Sequence, residues 1–247
     1  MCSFSKVFSV LETVIANQDR GLSFSEAASK TGLPKASVHR ILKGLMELGY
    51  LNFNPETKRY RGTLKLATLG SEVMSHFDLR EHAHPYLLKM HRDTGHTCNM
   101  GIRNGNAGIY IDKIEAEDYG IKLYSAVGKS FPLYCTGMGK ILLAWAPDEE
   151  IEAALAGPLE SFTEKTVTDP GELRKQLGWI REQGYALDVE EITRGIICVA
   201  APVFGVGGNL IAAISLTFPS YVYHDRGIER EIEAIKRHAA AIGGAFR

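Results

Sequence analysis

Ser23-Phe24-Ser25-Glu26-Ala27-Ala28-Ser29-Lys30-Thr31-Gly32-Leu33-Pro34-Lys35-Ala36-Ser37-Val38-His39-Arg40 decides how this chain is read. Ser23-x-x-Glu26 is a capping box and opens a short helix over 24–31. Gly32 supplies a turn, and Pro34 falls in the first turn of the next helix, where its missing N–H is tolerated. In that next helix Val38, Ile41, Leu42 and Leu45 share one face at i, i+3, i+4, i+7 spacing. The opposite face carries Ala36, Ser37, Arg40, Lys43 and Glu47, flanked by Lys35 and His39. Small residues at the start let such a helix sink into a DNA major groove. Arg40 has the reach for a guanine edge or a phosphate, and Ser37 for a phosphate. Two short helices, a tight turn and a bare basic face make the helix-turn-helix pattern.

The flanks agree. Upstream, Phe4, Val7, Phe8, Leu11, Val14 and Ile15 predict a helix over 4–17. Downstream, Gly49 ends the reading helix. Tyr50–Phe53 and Lys58–Arg61 then flank the turn-rich Asn54-Pro55-Glu56-Thr57, which predicts a β-hairpin, the wing of a winged helix. Lys58, Arg59 and Arg61 on that wing are expected along the DNA backbone, with Lys35, Ala36, Ser37, His39 and Arg40 meeting the groove. The competing reading is a helical protein-interaction module with a solvated charged face. Cap, turn, buried stripe, basic face and basic wing in this order favour DNA.

Charge divides the chain at the same place. Residues 1–62 hold nine Lys/Arg against five Asp/Glu, and the remainder holds 19 against 24. A positive head on a negative body suits a phosphate-contacting domain joined to one that avoids DNA. At 247 residues the chain has room for two cores. No apolar run reaches the roughly 18 residues of a membrane span, and the N-terminus lacks signal-peptide order. Cys2, Cys98, Cys135 and Cys198 form no CxxC pair, so the expectation is a reduced, cytoplasmic protein.

Leu64, Leu66, Ala67, Leu69 and Val73 predict a linker helix within 63–79, more apolar than one short helix can bury alone. It packs either on the same helix of a second copy or on its own winged domain. A two-fold dimer would set two reading helices about 34–36 Å apart. Residues 80–247 alternate helices and strands. Helices are expected at 80–93, 137–146, 148–155, 170–183 and 224–243. Strands are expected at 97–103, 107–114, 122–126, 185–189, 196–204 and 209–218. The fold class is α+β with a mostly antiparallel sheet. Strand alternation puts Ser215 and Thr217 on one face with Ala213, and Cys198 with Ala200. These small polar sides leave volume for a ligand, and the helix opening at Gly137-Met138-Gly139 offers N–H groups to a carboxylate.

Thr31–Leu42, Leu48-Gly49-Tyr50-Leu51 and Pro55–Arg61 closely resemble the IclR family of bacterial transcription regulators. So do Gly128–Lys140, Gly184–Glu191, Gly195 and Cys198–Val203. One small departure follows Arg61, where the family usually has Leu-Gly and this chain has Gly62-Thr63. The resemblance implies a winged helix-turn-helix at 1–62, a linker helix at 63–79 and a GAF-like effector domain at 80–247. It implies homodimers or dimers of dimers on double-stranded operator DNA. Such proteins repress or activate operons for catabolism of small acids, aromatics or sugars. Carried over residue by residue, it places Gly137, Met138, Asp188, Cys198, Ser215 and Thr217 around a small-molecule effector. A carboxylate at Asp188 suits a hydroxylated or hydrated organic acid, whose own carboxylate would sit at the Gly137 helix end and on Ser215.

Other motifs carry less. Gly128-Lys129-Ser130 lacks the glycine of a phosphate loop, since Leu123 stands there. Gly205-x-Gly207-Gly208 joins two expected strands and reads as a hairpin turn. His82, His84 and His91 share one expected helix, and the first two diverge. His96 and Cys98 share a strand face, which keeps a metal in view. No GxSxG or HExxH occurs, so neither an enzyme nor a cofactor is expected. The alternative function is a metal- or redox-responsive regulator using Cys98, Cys135 or Cys198.

Overall fold

The computed structural model describes residues 3–75, 78–116 and 125–246, and the chain falls into two compact units that divide after residue 76. Their relevant parts build from local signals.

In the first unit α1 (Ser3–Ile15), α2 (Phe24–Thr31) and α3 (Lys35–Glu47) surround a core of Val10, Val14, Leu22, Ala27, Val38, Leu42 and Leu45. The capping box forms. The Glu26 N–H donates to Ser23 Oγ and the Ser23 N–H donates to Glu26 Oε2 at 2.8 Å. Gly32 ends α2 with φ 64°, a left-handed conformation that glycine adopts without Cβ strain. A three-stranded antiparallel sheet follows, in the order β1 (Leu22–Ser23), β3 (Arg59–Gly62), β2 (Leu51–Asn54). Asn54 Oδ1 accepts the N–H groups of Glu56 and Thr57 at 2.9 and 3.0 Å, which closes the wing turn. The α4 helix (Leu64–Ser75) belongs to this unit. Thr63 Oγ1 donates to the Gly49 carbonyl, Lys65 Nζ to the Leu48 carbonyl, and Leu66 packs on the winged core.

Two details differ from the sequence reading. On α1 the buried positions are Val10, Leu11 and Val14, while Phe4 and Phe8 stand 75% and 58% exposed. The apolar stripe is wider than the small winged core can cover. The two-residue β1 pairs Leu22 with Tyr60 and Ser23 with Arg59, and it is too short to show alternation.

The second unit holds a six-stranded antiparallel sheet in the order β6 (Ser130–Pro132), β5 (Ala107–Ile114), β4 (Thr97–Asn104), β9 (Leu210–Pro219), β8 (Ile196–Phe204), β7 (Ala186–Val189). The α5 helix (Asp78–Thr94) and α10 (Glu229–Ala245) pack on one face. The other face takes α6 (Gly137–Ala144), with α7 (Asp148–Leu155) and α8 (Pro170–Gln183) outside it. This is the expected α+β class.

The strand expected at 122–126 is not there in its described part. Residues 125–126 are irregular, 122–124 lie outside the described residues, and the outer strand is β6. Its one large residue, Phe131, lies over Gly101 and Gly108. A Cβ on Gly108 would stand 2.1 Å from the ring. The helix expected at 224–243 is two helices, α9 (Ser220–Arg226) and α10, parted at Gly227 with φ 73°. The glycine cluster after Phe204 is the hairpin between β8 and β9.

Candidate functional site

On α3 the buried stripe and the bare face separate as the spacing requires. Val38, Leu42 and Leu45 are buried and Ile41 is half-buried. Lys35, Ala36, His39, Arg40 and Lys43 are exposed, and Ser37 is half-buried. Lys43 pairs with Glu47 at 3.8 Å on the solvent side. No side chain caps the α3 N-terminus, where Pro34 precedes the helix. Its first N–H groups therefore have no intrahelical acceptor, and the helix dipole favours an anion there.

The three wing cations differ. Lys58 is exposed at the hairpin tip with φ 54°. Arg61 is exposed and donates to the Asp19 carbonyl at 3.0 Å. Arg59 turns inward, donating to the Gly21 carbonyl at 2.8 Å and to Glu26 Oε2 at 3.2 Å. Hydrogen bonds from Ser23 and the charge of Arg59 hold the Glu26 carboxyl below its ordinary value.

In the second unit the strand register assembles a polar floor. Asp188, Cys198, Thr217 and Thr97 are successive partners across β7, β8, β9 and β4. The next row on the same face runs Ala186, Ala200, Ser215, Asn99. The start of α6 lies over this floor. A Cβ on Gly137 would meet the Ala200 Cβ at 3.2 Å and the Cys198 Cβ at 3.6 Å, so glycine sets how closely the helix approaches. Thr136 caps α6 by accepting the Gly139 N–H at 3.0 Å.

Between floor and helix lies a cavity with about 40 Å³ open to a water-sized molecule. All six residues named from the sequence line it: Gly137, Met138, Asp188, Cys198, Ser215 and Thr217. Sequence reading missed Asn99, Ser125, Tyr110, Thr136, the loop residues Ile192 and Thr193, and Ile196 at the start of β8. For Asn99 the signal was available, because it alternates with Thr97 on a strand the sequence placed. Ser125 falls within the strand expected at 122–126, and in the structure it is irregular.

Asn99 Nδ2 donates to Ser215 Oγ at 3.4 Å and to Thr217 Oγ1 at 3.3 Å. Asn99 Oδ1 and Ser125 Oγ are buried and have no partner among the described residues. Asp188 is buried, and its Oδ1 accepts the Glu191 N–H at 2.8 Å. Burial and the neighbouring Glu191 charge push the Asp188 carboxyl up to about 7. Behind it, Lys140 on α6 and Glu191 form a buried ion pair, and Lys140 Nζ also reaches the Leu187 carbonyl at 3.2 Å.

The cysteines do not favour thiolate chemistry. Burial pushes Cys98 up to about 12 and raises Cys135 and Cys198 as well. Cys198 Sγ lies 3.3 Å from Thr217 Oγ1. His96 meets Glu231 at 3.2 Å and His84 meets Asp112 at 2.7 Å. Among the described residues no three His, Cys, Asp or Glu side chains cluster as metal ligands, and no helix is long and apolar enough to cross a membrane.

Comparison with known proteins agrees with both halves. Residues 3–55 match the IclR helix-turn-helix domain, and residues 71–243 match the bacterial transcriptional regulator IclR C-terminal domain. The HTH-type transcriptional regulator XynR of Escherichia coli is 37% identical over 91% of this chain and 89% of its own length. The HTH-type transcriptional regulator KdgR of the same organism is 33% identical over 97% of this chain and 89% of its own length. The crystal structure of the Thermotoga maritima IclR is 32% identical, covers 98% of each chain and superposes with a TM-score of 0.71. The chain therefore belongs to the IclR family of transcriptional regulators, with a DNA-binding helix-turn-helix domain ahead of an effector-type C-terminal domain.

Proposed function

We propose that this regulator binds operator DNA through the bare face of α3 and that a small organic acid in the second-unit cavity changes its affinity for that DNA. The regulated genes serve catabolism of that acid. The reading makes the protein a cytoplasmic repressor and not an enzyme. The observation that carries it is the pairing of an exposed Lys35–Ala36–His39–Arg40 face in one unit with a polar cavity under a helix N-terminus in the other.

On DNA, Lys35, Ala36, Ser37, His39 and Arg40 face the groove. The uncapped α3 N-terminus takes a phosphate, and Lys58 and Arg61 follow the backbone. We assign Arg59 to holding the wing against α2, since Gly21 and Glu26 engage its guanidinium. In the cavity the N–H groups of Gly137 and Met138 and the Ser215 hydroxyl receive the carboxylate, and a ligand hydroxyl meets Asp188. Cys198 and Thr217 complete the floor.

The working form is a homodimer or a dimer of dimers. Phe4 and Phe8 on α1 and Leu64, Leu69 and Val73 on α4 are large exposed apolar residues in the DNA-binding unit. A second copy covers such a surface and doubles the DNA contact.

The test is fluorescence anisotropy on DNA from upstream of the gene itself, with and without short hydroxy acids. A several-fold change in apparent Kd with one acid, lost in Asp188→Ala, supports the reading. Unchanged ligand affinity of Asp188→Ala in calorimetry removes Asp188 from it. DNA binding indifferent to every acid removes the effector role.

A further inference from the structure

We propose that Asn99 and Ser125 complete the effector cavity and select a short acid bearing two hydroxyls, as a vicinal diol or a hydrated aldehyde, over analogues with one hydroxyl or none. The inference rests on the effector reading above and deepens it.

The ground is an imbalance of donors and acceptors. At the α6 end the cavity offers N–H donors, those of Gly137 and Met138, which have no intrahelical acceptor. Toward the floor it offers acceptors. Asp188 accepts the Glu191 N–H on Oδ1, with the Ile192 N–H and the Cys198 thiol also against its carboxyl, and two carboxylate oxygens have lone pairs for a further donor. Asn99 spends its amide N–H groups on the Ser215 and Thr217 hydroxyls, and its Oδ1 accepts nothing among the described residues. Ser125 Oγ is likewise buried without a partner there. Buried polar atoms without a partner are rare in folded proteins, and each asks for an explanation. Two of them line one small cavity.

A ligand complementary to this pattern has an acceptor at one end and donors at the other. A hydroxyl carries a single proton and donates to one acceptor at a time. Asp188 and Asn99 together therefore ask for two hydroxyls, and Ser125 Oγ, donor or acceptor by rotation, serves either of them. The volume sets the length. About 40 Å³ is small beside an ordinary ligand pocket, so a chain of a few carbons needs the least widening. An analogue that lacks a hydroxyl leaves Asn99 Oδ1 buried and unpaired, which penalises binding as well as withholding a bond.

Isothermal titration calorimetry of the full chain with four acids tests this. Glycerate carries a vicinal diol, and glyoxylate hydrates in water to a geminal diol. Lactate keeps one hydroxyl and propionate none. Glycerate or glyoxylate binds about ten- to a hundredfold more tightly than lactate, with propionate weaker still. Which of the two leads distinguishes the vicinal from the geminal arrangement. In Asn99→Ala the preferred diol loses more affinity than lactate does, so that the ratio between them falls to near one. Ser125→Ala, outside the central strand, narrows the same ratio and serves if Asn99→Ala does not fold. Lactate or propionate binding as tightly as both diols overturns the inference and leaves the effector reading standing. So does a preference that survives both substitutions. If none of the four acids binds, the short-acid reading itself fails and carries this inference down with it.

Discussion

Arg59 reaches back from the wing to the same Glu26 oxygen that accepts the Ser23 N–H, at 3.2 Å and 2.8 Å respectively. One carboxylate oxygen therefore serves the capping box of α2 and the strand that supports the wing. Arg59→Met should lower the melting temperature slightly, because the pair is partly exposed and such pairs are weak. It should leave the salt dependence of DNA binding nearly intact. Arg61→Ala and Lys58→Ala should each flatten the slope of log K against log salt by about one unit. Titrations at several salt concentrations separate the two kinds of residue. A full-unit loss in Arg59→Met would return Arg59 to the phosphate backbone.

Arg40 stands exposed one position past His39 on the face opposite Val38, Leu42 and Leu45. Arg40→Ala is expected to weaken operator binding by about 1–3 kcal/mol and to relax preference at one base position. Lys58→Ala should weaken operator and random DNA about equally. Competition between the operator and scrambled duplexes reads both. An Arg40→Ala protein with unaltered preference would place that side chain on a phosphate.

Asp188 makes the stability of the effector unit depend on pH. Its carboxyl sits at about 7 in the fold, raised by burial and by Glu191, against about 4 for an ordinary aspartate. Between those values the folded protein holds a proton that the unfolded chain has released. The stabilising contribution is therefore full below about pH 4 and is lost as pH rises through about 7. Asp188→Asn should flatten the melting curve against pH across this window and melt higher than the parent at about pH 8. Parallel melting curves for the two proteins across that range would contradict the raised value.

Much of this was legible in the sequence, for physical reasons. The capping box, Gly32 and the Val38–Leu42–Leu45 stripe are short-range signals, and α2 and α3 follow from them closely. Strand alternation put Ser215 and Thr217 on one face of their strand and Cys198 on a face of another, the helix opening singled out Gly137 and Met138, and the family resemblance gathered these with Asp188. The register of four strands and α6 unites them around the cavity. What escaped is long-range. The β6 strand has three residues and one large apolar side chain, so it shows no period, and only the glycines under Phe131 explain its place. The inward turn of Arg59 depends on Glu26, 33 positions earlier. Phe4 and Phe8 have the spacing of core residues, yet the winged core is too small to cover them.

Lys140 and Glu191 join α6 to the loop after β7, and both neighbourhoods line the cavity through Gly137, Met138, Asp188 and Ile192. The pair is almost wholly buried, at 3% and 7% side-chain exposure. Removing one partner strands the other charge, whereas removing both does not. Lys140→Met should therefore cost about 3 kcal/mol in urea unfolding, toward the lower end for a buried pair. Glu191 softens the loss by taking up a proton, because burial already raises its carboxyl. The Lys140→Met/Glu191→Leu double variant should recover most of that stability, since two apolar side chains of similar size leave no uncompensated charge. Effector affinity should not recover with it, because the Glu191 backbone would no longer be tied to α6 and its N–H would position Asp188 less firmly. Urea melts and calorimetry on the three proteins give the comparison. A double variant as unstable as Lys140→Met would mean that the pair acts through packing alone.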